Sequence, residues 1–382
     1  MIYADNAATT KLDLEAFEAM KPFLLEDYSN PSQPYSFSRQ SKKALQNARE
    51  NIAACINANP NEIYFTSGGT ESDNWAIKGS AFADFDKCAI ITSEFEHHAV
   101  LRCCADIERF GYPIAYLPPT PDGYITSEIL SEYFTDQMRL VSIMFANNEI
   151  GSLQPIKELC ELAHSHGALF HTDAVQAVGH VKIDVQELGI DMLSASAHKF
   201  NGPKGIGFLY IKNGVKIAPL LNGGSQENSY RAGTENVAAI VGMAKALENN
   251  CKKLSENQKY ILALENQFLK LLDNSGVKYI RNGGANTLPG LLSLSFKGFS
   301  GEAILHRMDL KGICISTGSA CDSVNTQISH VLQAVRLEEE LAKGTVRISL
   351  GKYNTQEDVA AISQVLLKIT KTDPIGSGKE IL

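Results

Sequence analysis

At 382 residues, 44% of them apolar, the chain is too long for one ordinary hydrophobic core and implies two domains. A net charge of −8 and a pI near 5.7 argue against a general nucleic-acid or membrane-surface binder. The opening M-I-Y-A-D-N-A-A-T-T has neither the basic nor the apolar region of a secretory signal. No apolar run reaches the ~18 residues of a membrane span. The eight cysteines show no C-x-x-C spacing, so a zinc ribbon or thioredoxin-like motif is not expected. A cytoplasmic protein is expected, with reduced thiols that mostly serve as small core residues.

A short strand at Met1 to Ala4 precedes a polar turn. From Leu12 to Leu25, Leu14, Phe17, Met20 and Leu24 fall on one helical face. Residues 26–38 form a polar loop with two prolines, of the kind that lines a site or an interface. A helix then runs to about Asn57 and stops at Asn59-Pro60. Glu62 to Phe65 reads as a buried strand that enters T-S-G-G-T-E-S-D-N, Thr66 to Asn74. Strand, glycine-rich turn and helix present backbone N–H groups and a positive helix end to a phosphate. The lysine of a P-loop and the G-x-G-x-x-G of a dinucleotide fold are both missing.

Strands and helices go on alternating. Cys88 to Thr92 is a strand, and Glu96, His97 and His98 open the next helix. Further strands are expected at Pro113 to Leu117 and at Leu140 to Phe145, the latter ending in A-N-N-E-I-G. Helix Ile156 to His166 leads to strand Ala168 to His171 and then D-A-V-Q-A-V-G, from which Asp173 and Gln176 project. The stretch Asp191 to Gly207 turns from Met192 and Leu193 through small residues to His198, Lys199 and a Gly/Pro cluster. A lysine there, at a strand's end beside Ser194, Ser196 and an imidazole, suits Schiff-base chemistry once partial burial lowers its pKa. The commonest carbonyl partner is pyridoxal phosphate.

Thr70, His97, Asn148, Asp173, Gln176, His198 and Lys199 thus all follow strands. Ligands of open α/β sheets lie at the carboxyl ends of strands. An acid upstream of such a lysine can keep a pyridine nitrogen protonated. Asn222 to Asn236 is polar and glycine-rich, and Val237 to Leu272 is a long helical region with a domain boundary near Cys251. Beyond it, an α+β region carries strands near Lys278 to Ile280, Leu291 to Phe296, Cys314 to Ser316 and Thr345 to Leu350, and the first strand joins this second sheet. The expected division is a large domain, 13–255, a small domain, 1–12 with 256–372, and a mobile tail, 373–382.

Together with R-A-G-T-E-N-V and S-T-G-S-A-C (Ser316 to Cys321), these motifs resemble the pyridoxal-phosphate enzymes of the class V aminotransferase fold. More narrowly they resemble cysteine desulfurases of the NifS/IscS type, from D-N-A-A-T-T at Asp5 to S-L-G at Ser349. The resemblance implies an α/β aminotransferase-like fold, with a large mixed, mostly parallel sheet domain and a smaller α+β domain. It implies that Lys199 carries the cofactor and moves protons at the substrate Cα, that Asp173 pairs with the pyridine nitrogen, and that Gln176 bonds the ring oxygen. His97 stacks on the ring and serves as an acid/base. Gly69, Thr70, Ser196 and His198 bind the phosphate, and Thr234 reaches the phosphate of a neighbouring subunit in a homodimer. Asn148 and Arg347 hold the carboxylate of the substrate, L-cysteine, as a planar guanidinium fork can.

By the same resemblance Cys321 is the nucleophile, and its persulfide passes to an acceptor protein, an iron–sulfur scaffold or a thio-modification protein. Its small, polar flanks suit a mobile carrier segment, whereas Cys314, in an apolar strand, is the core candidate. A selenocysteine lyase, or another class V lyase or aminotransferase, is the alternative enzyme. A non-catalytic sulfur-relay subunit is the alternative of another class. Two positions depart from the family pattern: Tyr35 stands where histidine is usual and Ser38 where glycine is usual. The chain also lacks the aromatic-rich ending of members that dock an iron–sulfur scaffold, so the acceptor stays open.

Overall fold

Short apolar runs joined by helices build one large sheet. The computed structural model describes residues 1–84, 86–317 and 328–371. Strand β1 (Ile2–Tyr3) and helices α1 (Leu14–Leu25) and α2 (Arg39–Ile56) come first. Then β2 (Ile63–Thr66), α3 (Gly69–Ala83), β3 (Ala89–Ser93), α4 (His98–Glu108), β4 (Ile114–Leu117), α5 (Ser127–Ser131) and β5 (Met138–Ser142) alternate. The alternation goes on through α6 (Ile156–Ser165), β6 (Leu169–Asp173), α7 (Val185–Leu188), β7 (Met192–Ser196) and β8 (Gly207–Ile211).

Among the described residues, strands β2 to β8 form a seven-stranded sheet in the order β2-β8-β7-β6-β5-β3-β4. Only β8 runs against its neighbours, β2 and β7. The remaining strands point the same way, so their carboxyl ends share one edge. Side-chain alternation sorts the core. Ile90, Leu140, Met192 and Leu209 face Trp75, Ile77 and Val100 on α3 and α4. Ile91, Val141, Phe170 and Leu193 face the layer that holds Ile52, Leu159 and Met243.

The helical region after Asn236 is two helices, α8 (Val237–Lys252) and α9 (Leu254–Asn274), broken at Lys253. Helix α8 packs on α1 and α2, and α9 packs on the last helix, α13 (Gln356–Thr370). Between them lie β9 (Ile280–Asn282), β10 (Leu291–Ser295), α10 (Gly301–Asp309), β11 (Ile313–Cys314), α11 (His330–Ala334), α12 (Glu339–Lys343) and β12 (Thr345–Ser349). A three-stranded antiparallel sheet, β12-β10-β9, shares a core with α9 and α13 built from Leu264, Phe268, Leu292, Val346, Ile348 and Ile362. The first strand pairs parallel with β11 in a two-stranded ladder, and Asp5 continues by a bridge to Ser349.

Three expectations are corrected. On α1 the face carrying Leu14, Phe17 and Leu24 is exposed, with Leu14 70% and Leu24 55% accessible, while Ala16 is buried. Of that face it is Met20 that reaches α8, at Gly242, where an added Cβ would come within 2.6 Å of the Met20 sulfur. Cys314 is only half-buried, because alternation sends Ile313 and Ile315 into the core and turns Cys314 to the other side. Of the described cysteines, Cys103, Cys104 and Cys160 are buried, but Cys55, Cys88 and Cys251 are half-buried.

A buried ion pair fixes the segment before Thr234. Glu227, Asn228 and Ser229 all have positive φ (47°, 57° and 66°), a costly run for non-glycine residues. The Glu227 carboxylate holds it by accepting from Arg49 Nη1 (2.9 Å) and Nη2 (2.6 Å) and from Phe65 N (3.0 Å). Its side chain is 3% exposed. Glu227→Ala strands Arg49 and is expected to cost about 3 kcal/mol, read as a lower urea midpoint with unchanged slope.

Candidate active site

The shared carboxyl edge opens into a cleft of about 500 Å³. On one wall, β2 gives way to Ser67, Gly68 and the first turn of α3. Gly68 has φ +149°, a conformation that glycine adopts readily. A Cβ on Gly207, opposite, would lie 2.7 Å from the Gly68 Cα and 2.3 Å from Ala195 O. This close approach places the positive end of α3, with its unpaired first-turn N–H groups, on the cleft beside Ser196.

Lys199 ends the single turn Ala197–Lys199 after β7. Its Nζ donates to the carbonyl oxygens of Ala7 (2.5 Å) and Ala8 (2.9 Å). Gln176 Nε2 donates to the same Ala7 oxygen (2.9 Å). The turn itself is tied down by His180 Nε2 to Lys199 O (2.8 Å) and by Thr10 Oγ1 to His198 O (2.7 Å). His198 Nδ1 meets Thr9 Oγ1 at 3.1 Å, and burial with Lys199 and Lys204 nearby lowers the imidazole to about 4.

His97 caps α4: its Nδ1 accepts from Ala99 N at 3.1 Å, so in the neutral ring the proton sits on Nε2. Burial, then the positive charge of Lys199, depress it to about 4. Asp173 ends β6 and is 6% exposed. Burial raises its carboxyl to about 6, against the opposing pull of the Val175 N–H (2.9 Å) and of Lys199.

Arg347 arrives from the small sheet, on β12, and is 4% exposed. Nη1 donates to Asn148 O and Nη2 to Asp5 Oδ1, both at 2.8 Å, while buried Nε has no partner. The cleft therefore gathers Gly69, Thr70, His97, Asn148, Asp173, Gln176, Ser196, His198, Lys199 and Arg347. Thr234 is not in it; it lines a neighbouring cavity of about 160 Å³ that shares Ser67 and Gly205 with the cleft. Cys321 lies outside the described residues. Sequence reasoning missed the N-terminal segment, although its D-N-A-A-T-T run of small and polar residues was a signal. It also missed Asp73, Asp5 and the buried Glu96.

A family model described as aminotransferase class-V matches residues 2–362. The chain belongs to the class-V aminotransferase family. It is 48% identical over 370 residues to the cysteine desulfurase IscS of Dictyoglomus turgidum, covering 96% of this chain and 94% of the relative. It is 47% identical over 371 residues to the cysteine desulfurase IscS of Methanosarcina thermophila, covering 97% and 92%. Among solved structures, a NifS-like protein superposes with a TM-score of 0.91 at 37% identity, covering 96% of this chain and 98% of that one. A complex of SspA with cysteine superposes at 0.84 and 36% identity, covering 93% and 100%.

Pyridoxal phosphate is the cofactor of this family. It offers an anionic phosphate, a basic ring nitrogen and an aldehyde. The class-V cleft offers a helix amino end backed by Ser196, a buried carboxylate and a primary amine, and this donor set fits all three.

The lowered His97 is expected to stay uncharged from about pH 5 upward. Histidine-selective NMR of the apoprotein, assigned with His97→Gln, is expected to show its titration only near pH 4.

Proposed function

We propose that this class-V enzyme is a pyridoxal-phosphate-dependent cysteine desulfurase that converts L-cysteine to L-alanine and carries the sulfur as a persulfide on Cys321. One observation carries the reading. In a chain alike over nearly its whole length to curated desulfurases, Lys199, Asp173 and a buried guanidinium with a free Nε share a single cleft.

Lys199 would hold the cofactor by a Schiff base and Asp173 would face its ring nitrogen. Gln176 would bond the ring oxygen, His97 would cover the ring, and Gly69, Thr70, Ser196 and His198 would hold the phosphate. When bound, pyridoxal phosphate supplies an electron sink that stabilises charge at the substrate Cα and weakens the Cβ–S bond. Arg347 and Asn148 fix the substrate carboxylate, which orients Cα toward the Lys199 amine, the group that removes and returns its proton. His97 keeps one face of the site and presents a neutral ring with its proton on Nε2.

The Cys321 thiolate attacks the substrate sulfur. The Cβ–S bond breaks with its electron pair going to carbon, which takes a proton and leaves as alanine, and the sulfur stays on Cys321 for exchange to an acceptor thiol. The backbone of Ser316, five positions before Cys321, pairs with that of Arg347 (N to O 3.0 Å and 2.6 Å), so the chain leading to the nucleophile starts beside the carboxylate-binding arginine.

The enzyme works as a homodimer in which Thr234 reaches the partner's phosphate site. Support comes from Leu14, Phe17, Leu24, Leu25, Tyr28 and Phe37, exposed apolar residues within one run of chain, and from Thr234 lying off its own cleft. Residues 13–255 form the cofactor domain, and 1–12 with 256–372 form the domain that delivers Arg347 and Cys321. The acceptor is an iron–sulfur scaffold or a thio-modification protein. A cytoplasmic setting suits chemistry that needs reduced thiols, and among the described residues no helix is long and apolar enough to cross a membrane.

Wild type with L-cysteine and a reductant is expected to form alanine. Cys321→Ala is expected to stay yellow and bind L-cysteine but form none; alanine formation at the wild-type rate would remove Cys321 from the mechanism. Asp5→Asn loosens Arg347 and is expected to raise the KM for L-cysteine about tenfold, roughly 1.4 kcal/mol, with a smaller effect on kcat in steady-state assays.

A further inference from the structure

The sheet face beneath α3 changes character along its strands. At the amino ends it is apolar, with Ile90, Leu140 and Met192. Two residues on, the same alternation brings up Thr92, Ser142, His171 and Ser194, and at the carboxyl edge Asp173. Asp73, in the first turns of α3, lies on this polar layer, 1% exposed, and lines the cleft.

His171 Nδ1 meets Ser142 Oγ and Nε2 meets Ser194 Oγ, both at 2.9 Å, and burial pushes the ring down to about 3, so it is neutral. Its Nε2 stands 3.7 Å from Asp73 Oδ1, which has no hydrogen-bond partner. The other titratable groups that act on Asp73 or feel it are Asp173 from β6, Glu96 from the turn after β3, and Cys103 and Cys104 from α4. Among the described residues no lysine or arginine pairs with it. Asp173 by contrast has the Val175 N–H and the field of Lys199. Two carboxyls buried in one layer, each acting on the other's charge, do not both ionise, and these contacts decide which one does.

We propose that Asp73 is a positioning residue that stays a neutral acid, holds the proton of the Asp73–Asp173 pair, and so leaves Asp173 as the one carboxylate facing the cofactor's ring nitrogen. The proposal rests on the cofactor assignment and not on sulfur transfer, and its test reads the apoprotein first.

An acid raised in the folded state must keep a proton that the unfolded chain gives up near 3.8, so it costs stability that grows as pH rises above that value. Asp73→Asn and Asp73→Ser are neutral at every pH. Their apoproteins are expected to match the wild-type pH trend below about pH 4 and to gain melting temperature on it steadily from pH 4 to 8. A constant gap, a wild type that gains on both variants over that range, or failure of both variants to fold would overturn the assignment. In the holoenzyme, the pH midpoint of the visible absorption is expected to stay in place in Asp73→Asn. Asp73→Leu, which can neither donate nor accept a hydrogen bond in this polar layer, is expected to bind pyridoxal phosphate at least tenfold more weakly than Asp73→Asn. A midpoint lowered by a full pH unit in Asp73→Asn would show that Asp73 carries charge and sink the proposal.

Discussion

The ammonium of Lys199 rests on the carbonyl oxygens of Ala7 and Ala8, and much of the site depends on that contact. A half-buried amine needs acceptors, but a carboxylate would hold it too firmly for an amine that must react. Carbonyl oxygens satisfy it without a competing charge. Residues 5–10 supply them as a strap between the two sheets. Asp5 holds Arg347, the Ala7 N–H donates to Ser349 Oγ (2.9 Å), and Thr10 Oγ1 donates to the carbonyl of His198. The strap therefore ties the Lys199 amine of one sheet to the Arg347 guanidinium of the other.

The parallel sheet sets where this happens. Strands buried on both faces keep their backbone groups in the ladders, so free donors accumulate only past the last paired residue. There the amino end of α3, the Lys199 turn and the cap of α4 converge. The acids at the same edge are costly to bury, and that cost is what tunes them: Asp173 is lifted to about 6 and Glu96 to about 8. Glu96 is anchored by Ser93 Oγ (2.6 Å) and Met144 N (2.9 Å), which ties the ends of β3 and β5 together directly beneath His97 in sequence.

The desulfurase chemistry divides between the two bodies of side chains that this geometry joins. The large sheet brings the amine, the acid and the helix end. The small antiparallel sheet brings Arg347 and, through the Ser316 pairing, the start of the segment that leads to Cys321.

Local pattern in the sequence sufficed for the alternating strands and helices, the glycine turn at Thr66 to Asn74, and the gathering of Asp173, Gln176, His198 and Lys199 at one edge of the sheet, because each lies at or past the end of a strand that its own apolar run identifies. Strand ends and the break at Lys253 needed hydrogen-bond partners that no window reveals. Exposure on α1 was decided by tertiary packing: Leu14, Phe17, Met20 and Leu24 share a face, but of these only Met20 is met by α8, at Gly242, and Leu14, Phe17 and Leu24 stay exposed. The roles of Asp5, Ala7, Asp73 and Arg347 were likewise invisible to spacing, since Asp5 and Arg347 are 342 residues apart and Lys199 and Ala7 are 192 apart. Periodicity reports which side chains are buried within an element. Which charges meet once they are buried is settled only when the sheets pack.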